Sequence, residues 1–134
     1  MTLSGRVGAV CGLTLAFGLA FAAPSFAAGG DQLFADNCGA CHQPNGQGIK
    51  GAFPALAGDA FVQADPGQAA FVVLNGRGGM PTFAPDLSDD QIAQILTYVR
   101  SSWGNKAGPV TPAMVAAARL KSKPDDATSA LQAH

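Results

Sequence analysis

Three side chains within five residues can do chemistry together: Cys38, Cys41 and His42, in the run Cys38-Gly39-Ala40-Cys41-His42. Two thiols three positions apart, followed at once by an imidazole, form the pattern that attaches a c-type haem. Each thiol adds to one vinyl group of the porphyrin, and one helical turn of backbone spaces the two sulfurs for the two vinyls. His42 then offers its imidazole to the iron from one face. Two other chemistries share the Cys-x-x-Cys spacing, a redox dithiol and half of a zinc site. The dithiol belongs in a βαβ context, which the pattern of this chain does not show. Zinc needs a further ligand pair, and outside the pentapeptide the chain offers Cys11 and His134, near its two ends. The expectation is one covalent haem c, held by Cys38 and Cys41, with His42 on the iron.

An electron-transfer haem needs a second axial ligand. Met1 lies at the N-terminus, Met114 in a later amphipathic stretch, and His134 is the last residue. Met80 lies in Arg77-Gly78-Gly79-Met80-Pro81-Thr82-Phe83, where glycines and a proline make a loop able to carry its thioether to the metal. Met80 is therefore expected as the second iron ligand; the alternative is a core methionine filling a gap. His/Met ligation fills both axial sites and raises the reduction potential, which favours an electron carrier over an enzyme. Arg77 either offsets a haem propionate or is an exposed loop arginine.

These residues need elements to position them. Asp31 is expected to cap a helix from Gln32 to about Cys38, with Leu33 and Phe34 on its buried side, delivering the cysteines. The turn-forming cluster Gln43-Pro44-Asn45-Gly46-Gln47-Gly48 then makes a loop that passes close to the porphyrin edge. Asp65 caps and Pro66 begins a helix stopped by Asn75-Gly76, with Phe71, Val72 and Leu74 as core or pocket lining. Ser88 with Gln91 is a capping box, and Ile92, Ile95, Leu96 and Val99 keep the 3/4 spacing of a buried helix face up to Gly104. Thr111-Pro112 begins a last short helix, Ala113 to Leu120.

The chain has 134 residues, 48% of them hydrophobic, enough for one small domain. Part of that apolar content is a run from Val7 to Ala23 behind Arg6, closed by Pro24 and the small residues of Ser25-Phe26-Ala27. It reads as a secretory signal over residues 1–27, cleaved after about Ala27; the alternative is an uncleaved membrane anchor. Residues 28–120 form the domain and residues 121–134 a disordered tail. After the signal the chain carries seven basic residues, eight less Arg6, against nine acids, all Asp, for a formal charge of −2. No basic stripe exists, which excludes nucleic acid as a partner.

The run from Leu33 to Gly48 resembles the haem-binding start of class I cytochromes c, and Gly51-Ala52-Phe53-Pro54-Ala55-Leu56-Ala57-Gly58 continues the likeness. The resemblance implies an all-α fold, a small class I cytochrome c with helices wrapped around one haem. It also implies that the Pro54 carbonyl accepts the other N–H of His42, where the alternative is an ordinary loop proline. The spacing of Met80 from His42 matches the same family. It further implies that the helix from Ser88 crosses the first helix, with Phe34 meeting Ile95 and Val99. Ile95 to Asn105, Val110-Thr111-Pro112 and Val115 to Arg119 are similar to a narrower group, the haem domains in cytochrome subunits of bacterial alcohol and aldehyde dehydrogenases. Those subunits carry three haem motifs, and this chain carries one.

Three functions follow. The first is a periplasmic carrier of one electron between a dehydrogenase and a terminal oxidase or reductase. The second is a permanent cytochrome subunit of a periplasmic or membrane-associated dehydrogenase complex, with any membrane association made through that complex. The third, a haem enzyme or gas sensor, requires an open sixth site. The expected partners are redox proteins, with no small-molecule substrate.

Overall fold

The computed structural model describes residues 29–122, so the signal-like segment and the tail from Lys123 lie outside the described residues. The regular elements of the described chain are all helices, and its loops carry two isolated bridges, Ile49 to Phe53 and Arg77 to Met80. Its elements are α1 (Gly30–Asn37), α2 (Gly39–His42), α3 (Ala60–Gln63), α4 (Pro66–Asn75), α5 (Asp89–Ser101) and α6 (Pro112–Ser122). None of these helices is long and apolar enough to cross a membrane.

Local chemistry explains most of the boundaries. Asp65 accepts from the Gln68 N–H at the start of α4, with Pro66 at the first helical position. Ser88 and Gln91 make both hydrogen bonds of a capping box at the start of α5, with Asp89 and Asp90 in the first turn. Asp59 caps the four-residue α3, which is too short to show a hydrophobic period in the sequence. At the C-terminal end, α6 reaches Ser122, so Lys121 and Ser122 are helical and not part of a disordered tail.

The expected cap at Asp31 is not formed. Here α1 begins at Gly30, behind Gly29, with no side-chain cap, and Asp31 sits in its first turn. The reason is tertiary. A Cβ on Gly30 would overlap the Gln94 carbonyl and crowd Tyr98, so this glycine must lie inside the contact where α1 meets α5. Phe34 is 2% exposed and shares one core with Ile95 and Val99, and its ring packs against Tyr98 and Trp103 at centroid distances of 5.6 and 5.1 Å.

On the other side, α6 covers α4 and α5, burying Val115 and Ala118 against Ala69, Ala70 and Leu74. Arg119 fastens it by donating to the Asp89 carboxylate and to the carbonyls of Ala84 and Leu87, at 2.8, 2.7 and 3.0 Å. Phe71 departs from expectation. It faces outward on α4 and is exposed, while Val72 and Leu74 turn inward as expected.

Candidate functional site

The pentapeptide sits on a bend between two helical pieces. The Cys38 N–H still donates to the Phe34 carbonyl at 2.8 Å, and the Cys38 carbonyl accepts from the N–H groups of Cys41 and His42. Cys38, Cys41 and His42 are therefore held on one turn of backbone. Burial pushes the Cys38 thiol up to about 11, and the neighbouring Cys41 adds to the effect.

After His42 the chain reverses. Gln43 takes a left-handed φ of 63°, and Gly48 does so at 61°. The Gly48 N–H donates to the His42 carbonyl at 2.9 Å, and the Gly46 carbonyl accepts from Leu56 and Ala57. This folded loop brings Pro54 back over the histidine. The His42 Nδ1–H donates to the Pro54 carbonyl at 3.0 Å. A carbonyl can only accept, so Nδ1 carries the proton and Nε2 keeps its lone pair for a metal. The bond also fixes the ring and raises its basicity. Gly48 makes the approach possible, because a Cβ there would strike the carbonyl oxygens of Phe53 and Pro54.

Met80 arrives from a different element. The end of α4 turns at Gly76, φ 75°, and the Arg77–Met80 bridge closes a tight loop through Gly78 and Gly79. A Cβ on Gly76 would overlap the Met80 carbonyl. The loop is tied back along α4 by the Thr82 hydroxyl donating to the Leu74 carbonyl and by the Phe83 N–H donating to Val73 at 3.0 Å.

Both pieces open onto one cavity of about 350 Å³. All six residues singled out from the sequence (Cys38, Cys41, His42, Pro54, Arg77 and Met80) lie on its wall. Arg77 is exposed at the rim, with its guanidinium 4.4 Å above the Phe61 ring. The rest of the wall is largely apolar, with Val62, Val72, Leu96 and Val99 prominent. Sequence reasoning missed Phe61 and Asp59, which α3 carries to the cavity; the sequence signal available was the Asp59 cap itself.

The donor set tests which group the cavity fits. Two adjacent thiols, one imidazole with its second nitrogen already satisfied, one thioether and apolar walls suit an iron porphyrin. Among the described residues no group of three or more His, Cys, Asp or Glu could hold a bare metal ion; Cys11 and His134, the further zinc ligands that the sequence offers, lie outside the described residues. The described chain also has no strand for a thioredoxin-like βαβ unit.

The comparisons agree. The family described as cytochrome c oxidase, cbb3-type, subunit III matches residues 25–99, more than half of the chain. The chain belongs to this family of c-type cytochrome domains. It is 36% identical over 94 residues to cytochrome c-552 of Thermus thermophilus, covering 58% of this chain and 70% of that one. It is 40% identical over 75 residues to cytochrome c6 of Leptolyngbya boryana, covering 54% and 88%. It is 34% identical over 99 residues to the cytochrome c subunit of a quinone alcohol dehydrogenase from Gluconacetobacter polyoxogenes. That match covers 64% of this chain and 21% of the subunit, so the chain spans about a fifth of that relative. Membership of this family implies a domain that binds haem c covalently, as in the c-type cytochromes it is similar to.

Proposed function

We propose that this chain is an exported monohaem carrier that passes one electron from a dehydrogenase to a terminal oxidase or reductase in the periplasm. When bound, haem supplies the one-electron iron couple. Cys38 and Cys41 would hold it through thioether bonds, and His42 and Met80 would ligate its iron. Pro54 orients the His42 ring, and Arg77 offsets a propionate at the rim. With both ligands in place no open iron position would remain for oxygen or peroxide chemistry. The apolar walls would keep water from the metal and limit reorganisation during transfer. The entry point is the edge near Ala40, which is exposed, and Met80, which is half-buried. Residues 1–27 are the cleaved export signal.

The observation that carries this reading is the hydrogen bond from His42 to Pro54, beside two thiols and Met80 on one cavity wall. It joins residues from separate segments on the wall of one cavity, which supports the haem reading.

A second reading, a permanent subunit of a dehydrogenase complex, is favoured by the similarity to the alcohol dehydrogenase cytochrome subunit. Size-exclusion chromatography of a native periplasmic extract, followed by haem absorbance, separates the two. Elution at the size of the free mature chain is expected. Co-elution with a large flavin- or quinone-dependent chain overturns the free carrier in favour of the subunit.

A further inference from the structure

Arg100 lies on the inward side of α5 and is 4% exposed. Its Nε donates to the Gly108 carbonyl at 3.0 Å, and its Nη1 donates to the carbonyls of Val62 and Ala64 at 2.5 and 3.1 Å. Every one of these acceptors is a neutral carbonyl. Among the described residues the ion pair present is Arg119 with Asp89, so Arg100 has no carboxylate there to neutralise it. An arginine keeps its charge in proteins, so this is a full positive charge inside the domain.

Its position relates it to the site. Val62, whose carbonyl it holds, lines the cavity; so do Val99, the residue before Arg100, and Leu96, one turn earlier. The buried guanidinium is therefore joined to the backbone of a residue on the cavity wall, from a helix that supplies other residues to that wall. A charge in such a place is screened far less than one at the surface.

We propose that Arg100 sets the reduction potential of this cytochrome upward, acting through its charge on the group in the cavity. The inference rests on the reading that the cavity holds haem. The oxidised form carries one more positive charge than the reduced form, so a nearby buried cation disfavours oxidation. At roughly 10 Å and an effective dielectric near 20, the effect is about tenfold in the one-electron equilibrium. Tenfold corresponds to about 59 mV for a one-electron couple. The exposed Arg77 and Lys106 are in water and contribute less.

The test uses the haem-loaded protein and potentiometry followed by absorbance. R100Q and R100M remove the charge, R100K keeps it, and K106Q removes an exposed charge as control. The expected result is a fall of about 59 mV in R100Q and R100M, tenfold in the one-electron equilibrium, with R100K and K106Q near wild type. The spectra of both oxidation states stay unchanged, showing that the axial ligands are intact. An unchanged potential in R100Q or R100M overturns the proposal. So does a fall in R100K as deep as in R100Q, because hydrogen-bond geometry and not charge is then responsible.

Where the neutral variants fail to accumulate, R100H decides, because its charge is removed by raising the pH. Its potential is expected to fall, relative to wild type, as the imidazole loses its proton, and a pH profile identical to wild type overturns the proposal. A wild-type chain that takes up no haem at all refutes the underlying haem reading, a separate result from any of these.

Discussion

Gly48 is the residue whose replacement most sharply tests the geometry at His42. Its φ of 61° is left-handed, and a methyl there meets the carbonyls of Phe53 and Pro54. Two effects add in G48A. The backbone conformation costs about 1–2 kcal/mol for an L-residue. Moving the Pro54 carbonyl weakens its bond with His42, a further loss of about 1–1.5 kcal/mol. The net destabilisation is therefore about 2–3 kcal/mol, after a fraction is recovered from the less flexible unfolded chain. Gly51 supplies the control, because its φ is 83° but a Cβ there meets nothing within 4 Å. G51A carries the backbone cost alone, so G48A is expected to exceed it by about 1 kcal/mol. Guanidinium unfolding of the two haem-loaded variants measures the difference. The hydrogen bond also raises histidine basicity, which favours the oxidised metal. G48A is therefore expected to raise the reduction potential and shift the His42 Nδ1–H proton resonance, and G51A to do neither. Equal stability losses in the two variants, with an unmoved Nδ1–H resonance in G48A, refute the reasoning.

Further outcomes follow from other parts of the structure. M80A opens the sixth position, and its reduced form is expected to bind carbon monoxide at neutral pH where the wild type does not, as read by absorbance. R119L removes the link from α6 to Ala84, Leu87 and Asp89 and leaves two half-buried carbonyls without their donor; denaturant unfolding is expected to show a loss of about 2–3 kcal/mol. D89N is expected to lose less than 1 kcal/mol by the same measurement, because that ion pair is partly exposed. S88A breaks the capping box of α5 and is expected to lower stability by about 1 kcal/mol in thermal or denaturant unfolding.

Features of the fold written in short stretches of sequence were legible. The pentapeptide at Cys38, the caps at Asp65 and Ser88, and the glycine-flanked loop at Met80 each depend on residues within a few positions of one another. Features built from distant pairs were not. Asn105 is buried and binds the Leu56 carbonyl and the Gly58 N–H, partners 49 and 47 positions away. Arg100 reaches Val62 across 38 positions. Nothing in the local pattern marks either residue as interior. The cap expected at Asp31 failed for the same reason, since the contact between α1 and α5 requires Gly30 inside the helix and overrides the capping preference. Phe71 was placed inside because it is large and apolar, yet the small residues Ala69 and Ala70 take the inner face of α4, beneath α6.

The most direct test of the central claim is the intact mass of the denatured protein, purified after export from a host that matures c-type cytochromes. A thioether-linked haem survives denaturation, so the account predicts the mass of the polypeptide plus one haem, with haem absorbance remaining on the chain. A mass equal to the polypeptide alone, with the haem lost on denaturation, contradicts it.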